Sequence, residues 1–438
     1  MTSRQLRSLA ALVPAVFALA LTAAAPALAA GDPLISDQWA LNAEAIGAHE
    51  AWSQSAGAGV VVAVIDSGVQ IDHPDLASKL WTNPDEVANG IDDDANGYVD
   101  DIHGANILDG GGNVDDDKGH GTNVAGVIAA RAGNGVGVSG LAPKARIMAV
   151  KVFNAAASAK ASGLARAIRY AVGEGARILN VSLNGESTTV ELSEAVRFAG
   201  EQGATIVTSA GNNIRDVDAQ PSYPVSLPDP AVLGVTATTE QGNLLEAANR
   251  GSRSIELAAP GDMIMSTARG SEYDFTAGTS VAAPFVAGAL ALLSAARPDL
   301  TEPQLREALL ASSERTRGVA GRVSAGQLDV GAAMHRIVPG TWGANKARAR
   351  VRLRAAGRAR AGRRATIRWS ATNASSVTRW KVSLDGRRVR TLTSRQARSA
   401  HTRIARPGRH RWTVTGYDAR SRKVVSATRS FRASPPTR

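Results

Sequence analysis

The sequence predicts an α/β domain with a doubly wound parallel sheet and helices on both faces, followed by a small all-β domain. First, strand-like apolar runs alternate with helix-like segments between about residues 59 and 293, which is the pattern of a parallel sheet. Second, a length of 438 residues exceeds what one hydrophobic core normally supports. Third, residues 1–340 carry a net charge of −14 and residues 341–438 a net charge of +25. We therefore expect an acidic body and a basic C-terminal domain with different roles.

The predicted sheet depends on continuous apolar runs, which are typical of strands buried on both faces. These runs span residues 60–65, 147–153, 178–183, 205–208 and 232–237. Helical stretches lie between them at residues 123–130, 164–172 and 190–202. A very apolar helix is expected from about residue 280 to 295, and a capping-box pattern at residues 301–304 starts another helix that runs to residue 310.

The first 29 residues have the features of a secretory signal peptide. Arg4 and Arg7 form a positive segment, residues 9–21 are apolar, and Ala27-Leu28-Ala29 is an A-x-A cleavage site. The alternative is a membrane anchor, but this run is shorter than the roughly 20 apolar residues that span a bilayer. We expect cleavage after Ala29 and a secreted, extracellular protein, free or attached to the cell wall, with no transmembrane segment. The absence of cysteine excludes disulfides and thiolate chemistry.

Composition changes sharply near Pro339-Gly340. Residues 30–338 form the predicted α/β domain, and the Arg- and Ala-rich residues 339–364 are interpreted as a linker or a first strand. In residues 365–438, apolar and polar residues alternate, and Asp385-Gly386 between two such runs is typical of a type I′ hairpin. We predict a basic, immunoglobulin-like β-sandwich there.

Three short segments combine residue types that carry chemistry. Asp66-Ser67-Gly68 follows a predicted strand, at the edge where ligands bind in open α/β sheets. Gly119-His120-Gly121-Thr122 opens a helix, and its glycines allow close approach to the imidazole. Gly278-Thr279-Ser280 opens the apolar helix, whose N-terminal dipole favours a developing anion. Each segment alone is explained as a turn, a core histidine or a helix cap, but together they supply an acid, a base and a hydroxyl nucleophile.

These motifs, in the chain order Asp, His, Ser, resemble those of the subtilisin-like serine proteases, the subtilases. The resemblance covers about residues 33–335. It implies a subtilisin-like fold and a serine endopeptidase in which Ser280 is the nucleophile, His120 the general base and Asp66 the residue that orients His120. A narrow processing peptidase is the alternative among enzymes. A catalytically silent binding protein that keeps the fold is the alternative from another class.

A fourth segment, Thr208-Ser209-Ala210-Gly211-Asn212, also resembles a family motif. The matching Asn in the family donates to the oxyanion, so the resemblance assigns this role to Asn212, with the Ser280 backbone N–H as second donor. The competing residue is its neighbour Asn213. Substrate-binding positions implied by the resemblance are Ser182, Leu183, Asn184, Gly185, Ala210 and Gly211.

Asn184 departs from the family pattern, which usually has Gly at that position, so we predict no preferred P1 residue. Tyr223-Pro224 resembles a family Tyr-Pro near the same pocket, where a cis peptide bond is one option. Substrates are expected to be proteins or peptides, bound partly by strand addition.

An acidic segment between the Asp66 and His120 motifs predicts a structural Ca²⁺ site. Asp92, Asp94 and Asn96 have the i, i+2, i+4 spacing of a calcium loop with Gly97 at the turn. The further candidate ligands are the Tyr98 carbonyl and Asp100. His103 occupies the twelfth position, where the closing Glu is usual, so Asp101 is the candidate for the last carboxylate. The alternative is a solvated acidic turn, but five aspartates within ten residues would repel one another without a cation. A second acidic run, Asp115-Asp116-Asp117, is interpreted as a solvated loop.

The basic C-terminal domain has several candidate partners. Because the chain is expected to be secreted, nucleic acid is not expected, and an anionic cell-surface polymer, acidic substrates or the acidic catalytic domain are preferred. The arginines are alternatively the solvated face of a β domain. We expect a monomer.

Overall fold

The computed structural model describes residues 31–42, 45–156, 158–338, 350–356, 360–372, 379–392, 399–417 and 423–435. The chain divides into two compact units, Met1–Pro339 and Gly340–Arg438. The predicted signal peptide and residues 339–349 of the predicted linker lie outside the described residues.

A seven-stranded parallel sheet forms the centre of the first unit, which confirms the predicted fold class. Its strands run in the order β2-β1-β3-β4-β5-β6-β9. They are β1 Val61–Asp66, β2 Arg146–Lys151, β3 Ile178–Val181, β4 Thr205–Ser209, β5 Val232–Thr238, β6 Leu257–Pro260 and β9 Gly326–Gln327. The sequence does not predict β9, because two residues are too short to give a recognisable apolar run. It does not predict β6 because Leu-Ala-Ala-Pro lacks the β-branched residues typical of strands and ends in proline. A separate antiparallel hairpin pairs β7 Ile264–Ala268 with β8 Glu272–Thr276.

Helices cover both faces of this sheet. They are α1 Ala48–Trp52, α2 His120–Ala129, α3 Ala161–Gly173, α4 Val190–Glu201, α5 Thr279–Ala296, α6 Glu302–Ser312 and α7 Val330–Ile337, with three-residue 3₁₀ helices at Ile35–Asp37, Trp39–Leu41 and Ala77–Lys79. Alternate residues of β1 enter two different cores: Val62 and Val64 pack in the cluster that contains α2 and α5, whereas Ala63 and Ile65 pack in the cluster that contains α3 and α4. The sheet is therefore buried on both faces, which is why its strands are continuously apolar.

Among the described residues, one helix is long and apolar enough to cross a membrane. This helix is α5, and 78% of the apolar window is buried inside the first unit. Its hydrophobicity is explained by its position, because it packs against β3, β4, β5 and β6 in the middle of the larger core.

The second unit consists of two antiparallel sheets with one shared core. A three-stranded sheet has the order β10-β11-β14 and a four-stranded sheet the order β13-β12-β15-β16. The strands are β10 Arg350–Ala356, β11 Arg364–Thr372, β12 Arg379–Leu384, β13 Arg387–Leu392, β14 Ser399–Arg403, β15 Gly408–Tyr417 and β16 Lys423–Ala433. Trp369 and Trp380, from different sheets, lie 5.9 Å apart between ring centroids in the shared core.

Two local features of this unit bear on the sequence interpretation. Residues 350–356, inside the segment interpreted as a linker or a first strand, form strand β10. Asp385 and Gly386 have φ values of 49° and 75° between β12 and β13, as a type I′ turn requires.

Candidate active site

Asp66 and His120 lie in hydrogen-bonding contact, although 54 residues separate them in the chain. Asp66 is the last residue of β1 and is fully buried, and its Oδ1 lies 2.7 Å from His120 Nδ1. The same oxygen accepts a hydrogen bond from the Ser67 backbone N–H at 2.8 Å. A third of the His120 side chain is exposed, so one part of the imidazole meets the carboxylate and another meets solvent.

The electrostatics of this pair favour a protonated imidazole. The Asp66 charge raises the pKa of His120, and burial of the ring opposes this rise. A smaller contribution to the raised pKa comes from Asp116, while Lys118 lowers it. The arrangement can therefore stabilise an imidazolium that forms when His120 accepts a proton.

The loop before His120 is organised by a buried carboxylate, so its interpretation as a solvated acidic run is wrong at Asp116. This side chain is 1% exposed. Its Oδ1 accepts from the backbone N–H groups of Lys118 and Gly119, and its Oδ2 accepts from the N–H and hydroxyl of Thr122. These bonds satisfy N–H groups around the start of α2, which have no partner within the helix. Asp117, by contrast, is exposed and pairs with Lys151 Nζ at 3.1 Å.

Close backbone packing brings the start of α2 to the end of β1. The Gly121 N–H donates to Ser67 Oγ at 3.0 Å. A side chain at Gly121 would overlap the Gly68 carbonyl and approach Asp66 Cβ to 3.0 Å. The glycine after the histidine is therefore required by the contact that joins His120 to Asp66.

Ser280 is held at the start of α5 by contacts to its backbone. Pro284 has no N–H, so the Ser280 carbonyl lacks the donor that an α-helix normally supplies four residues later. Ser182 Oγ donates to this carbonyl at 2.7 Å and replaces the missing bond. Ser182 in turn accepts from Asn180 Nδ2 at 2.9 Å, so the strand end of β3 positions the serine.

Asn212 contacts the same helix start. Its Oδ1 accepts from the Thr279 N–H at 2.9 Å, so Nδ2 remains available as the donor of the amide. Gly278, at φ 139°, permits this approach, since a Cβ there would lie 3.0 Å from Asn212 Nδ2. The backbone N–H of the neighbouring Asn213 donates to Asn249 Oδ1 at 2.9 Å.

The residues assigned to substrate binding lie along one edge beside Ser280. Gly185 exchanges both backbone hydrogen bonds with Tyr223 at 2.8 Å, and the Tyr223-Pro224 peptide bond is cis. The Asn184 side-chain amide points toward Gly211: a Cβ added at Gly211 would lie 2.8 Å from Asn184 Nδ2. Leu183 packs against the core cluster that contains α3 and α4. Ala210 is fully buried at the end of β4, and the Gly211 N–H donates to Thr279 Oγ1 at 3.0 Å.

In the acidic loop, the structure groups a different carboxylate set from the one predicted. Ligand oxygens of Glu86, Asp92 and Asp94 lie within 4.8 Å of one another. Asp100 instead accepts from the backbone N–H groups of Asn89 and Gly90 at 2.9 Å. Glu86 was missed because it precedes the loop by six residues, beyond the spacing that identifies such motifs.

The remaining predicted ligands are engaged in a network around the buried Asp101. Asp101 is fully buried and accepts from Asn83, Asn96 and the Tyr170 hydroxyl. Asn96 Oδ1 accepts from the Tyr98 N–H at 2.9 Å. Tyr98 packs edge-on against Tyr170, with ring centroids 5.1 Å apart.

The donor chemistry of this loop fits a hard divalent cation. Glu86 is 7% exposed, and its Oε2 is buried with no hydrogen-bond partner in the described part of the chain. Burial raises the pKa of nearby Glu174, and the charges of Asp94 and Asp101 add to this rise. Clustered oxygens with an unpaired buried carboxylate atom are the type of site that Ca²⁺ occupies.

Comparisons with known proteins identify the family of this chain. The subtilase family of peptidases (Peptidase S8) matches residues 57–327. The chain is 34% identical to thermitase of Thermoactinomyces vulgaris over 249 residues, which is 57% of this chain and 80% of thermitase. It is 35% identical to an intracellular serine protease of Paenibacillus polymyxa over 274 residues, covering 61% of this chain and 78% of that protein. A solved protease of Pseudoalteromonas arctica superposes with a TM-score of 0.59 at 28% identity, covering 70% of this chain and 99% of that one.

Fold, site and relatives together define a serine-type endopeptidase, an enzyme that hydrolyses peptide bonds. The chain belongs to the subtilase family.

The contacts of Asp116 lead to a prediction about the imidazole. Asp116→Asn removes a negative charge that raises the pKa of His120, so this pKa should fall while the Asp66 contact is kept. Titration of the His120 ring by NMR measures it. Asp117→Asn is the matched control, because Asp117 is exposed and pairs with Lys151; a pKa that shifts equally in both variants, or in neither, contradicts the assigned role of Asp116.

Proposed function

We propose that this chain is a secreted serine endopeptidase that acts through Asp66, His120 and Ser280. The observation that carries the proposal is the 2.7 Å contact between buried Asp66 and half-buried His120, in a subtilase that presents a serine at the start of a buried helix. A serine hydroxyl becomes an effective nucleophile when an adjacent base takes its proton, and the base needs a fixed tautomer.

In the proposed reaction, Ser280 Oγ attacks the substrate carbonyl while His120 Nε2 takes the hydroxyl proton. Asp66 holds Nδ1 and stabilises the imidazolium. His120 then gives the proton to the leaving amine, and an acyl-enzyme remains on Ser280. Water, deprotonated by His120, attacks the ester and releases the product acid and the free serine.

Stabilisation of the oxyanion by hydrogen bonds is assigned to Asn212 Nδ2 and the Ser280 N–H. The 2.9 Å bond from the Thr279 N–H to Asn212 Oδ1 supports this assignment, because it fixes the amide beside the nucleophile before any substrate binds. A donor aimed in advance stabilises developing charge without reorganisation.

Protein or peptide substrates are assigned to the edge formed by residues 182–185 and 210–211. Gly185 already uses its N–H and carbonyl with Tyr223, so strand addition by the substrate is assigned to the residues before it. The Asn184 side chain, turned toward Gly211, occupies space that a glycine would leave open and narrows the adjoining pocket.

Export is the second part of the proposal, since residues 1–29 have the composition of a signal peptide. The relatives include a protease named as intracellular, so family membership alone leaves the location open. Residues 30–338 are the proposed catalytic domain, monomeric and extracellular, and the basic residues beyond are the proposed anchor to an anionic surface.

A structural Ca²⁺ ion is the third part of the proposal. Glu86, Asp92 and Asp94 would hold it, since their oxygens converge and one buried Glu86 oxygen has no other described partner. The ion would neutralise repelling carboxylates and would tie the loop to the segment before it.

A catalytically silent binding protein is the rival function. The hydrogen bond from His120 to Asp66 favours an enzyme, because an unused site needs no oriented imidazole.

The first prediction of this proposal concerns the nucleophile. The mature protein should hydrolyse labelled casein, and Ser280→Ala should lower kcat by at least about 10³-fold, since acyl transfer then has no nucleophile. Matching thermal unfolding curves serve as the folding control. Casein cleavage by Ser280→Ala at the rate of the parent would rule out the mechanism. An inactive parent chain would favour a catalytically silent binding protein or a processing enzyme that cuts few sequences.

The second prediction separates Asn212 from Asn213. In subtilisin, loss of one oxyanion donor costs about 10²–10³ in kcat, and Asn212→Ala should behave similarly with little change in KM. Asn213→Ala, at the adjacent exposed position, should stay within about threefold of the parent. Equal effects of the two substitutions would contradict the assignment.

The third prediction concerns calcium and uses unfolding rather than activity. A ligand at 100 times its Kd stabilises the folded state by about 2.7 kcal/mol, so Ca²⁺ should raise the Tm relative to chelator. Glu86→Gln should remove most of this increase and should be no less stable than the parent in chelator, because a repelling charge is gone. Asp93→Asn is the matched control in the same loop. The site is wrong if Ca²⁺ stabilises Glu86→Gln as much as the parent.

A further inference from the structure

The four-stranded sheet of the second unit has an outward face without carboxylates among its described residues. Alternation along its strands places Trp380, Val382, Trp412 and Val414 in the core. The residues between them form what we call the outer face. Its cations are Lys381, Arg388, Arg409, Arg411 and Arg432, together with Arg379, whose guanidinium covers the Tyr417 ring. Its hydroxyls are Ser383, Thr391, Thr413, Thr415, Ser426, Thr428 and Ser430.

The cations of the outer face include a pair of like charges in direct opposition. Arg409 on β15 is the cross-strand partner of Arg432 on β16, and both are exposed. Like charges placed opposite each other destabilise a sheet. The next pair on the same face is Arg411 with Ser430, so three cations and a hydroxyl lie together.

The second unit has little internal charge to neutralise them. Residues 341–438 contain 27 Lys/Arg and only two acidic residues, Asp385 and Asp418. Asp385 is engaged, since it lies 2.6 Å from His410 Nδ1 and accepts from the Arg411 backbone N–H at 2.7 Å. An anion from outside the unit would therefore remove an electrostatic cost that the fold itself retains.

The spacing of these cations suits a polymer better than a single ion. Residues two apart on one strand are separated by about 7 Å, and the outer strands of a four-stranded sheet by about 14 Å. Arg388 on β13 and Arg432 on β16 are at these outer strands. A small ion can reach only neighbouring cations such as Arg409, Arg411 and Arg432, whereas a chain with repeated charges also reaches Lys381 and Arg388.

We propose that the outer face binds an acidic polysaccharide. Guanidinium groups donate in pairs to oxyanions, and the intervening hydroxyls exchange hydrogen bonds with sugar hydroxyls; Thr415 and Ser426 form such a hydroxyl pair at 2.9 Å. Single-stranded nucleic acid is disfavoured because it binds by stacking on aromatic rings. The aromatic residue described on this face is Tyr417, whose ring is covered by Arg379 at 5.4 Å. The inference rests on the proposed export, which brings the chain to such polymers.

The test uses the full chain carrying Ser280→Ala, so that hydrolysis plays no part. Binding to dextran sulfate, polygalacturonate, neutral dextran and duplex DNA is measured as a function of salt. Dextran sulfate or polygalacturonate should bind, with affinity that falls as salt rises, and the tighter of the two identifies the preferred charged group. Neutral dextran should not bind.

Arg409→Gln/Arg432→Gln should weaken polymer binding by about tenfold, since charge-assisted hydrogen bonds are lost. The matched control, Arg363→Gln/Arg368→Gln, removes the same charge at exposed positions in and next to the three-stranded sheet and should change binding by less than about twofold. The outer-face variant should have an unchanged or higher Tm without polymer, because opposed like charges are removed.

Three outcomes would overturn the inference: equal weakening by both double variants, binding that ignores salt, or tighter binding of duplex DNA than of either acidic polysaccharide. In chains that keep Ser280, casein hydrolysis by the outer-face variant should equal that of the parent. Loss of polymer binding in the outer-face variant, with casein hydrolysis intact, therefore supports the role of this surface independently of catalysis. Absence of casein hydrolysis in the parent chain would contradict the proposed function and would leave the polymer-binding result unaffected.

Discussion

The hydrogen bond between Asp66 and His120 depends on how closely one helix can approach the end of one strand. Parallel strands end at the same edge, so β1 delivers Asp66 to the place where loops converge. Helix α2 reaches it only because Gly121 has no side chain and because Ser67 receives the Gly121 N–H. A bulkier residue at position 121 would separate acid from imidazole, and the raised pKa of His120, whose main cause is Asp66, would be lost.

The position of Ser280 also depends on close contacts to the backbone. Pro284 removes one helical donor from α5, and the carbonyl it leaves free is the one that Ser182 binds. The end of β3 and the start of α5 are thereby joined at Ser280, while Asn212 joins the end of β4 to the same turn. The segments that follow β3 and β4 and the start of α5 thus define the surroundings of the serine before substrate arrives, which is the pre-organisation that acyl transfer needs.

Much of this could be predicted because the signals are local. Apolar runs predicted five of the seven parallel strands, and motifs on short segments predicted the residues that meet at the sheet edge. What could not be predicted depends on contacts between distant segments. Asp116 looks like one of three equivalent aspartates until its burial is known, and Glu86 joins Asp92 and Asp94 from outside the spaced motif. Strand β9, with two residues, exists only because β6 lies beside it.

Opposite net charges have different physical meanings in the two units. In the acidic unit, many carboxylates act as structural acceptors: Asp116 binds four donors, Asp32 holds Gly133, Asn134 and Ser139, and Asp218 holds residues 252–254. Part of that negative charge is therefore used inside the fold. The exposed guanidinium groups of Arg409, Arg411 and Arg432 lie on a face with no carboxylate among its described residues, and the basic unit has only two acidic residues, Asp418 and the engaged Asp385. Charged side chains that make no internal hydrogen bonds or ion pairs can bind an external partner. The basic unit, rather than the acidic one, is therefore the candidate for polymer binding.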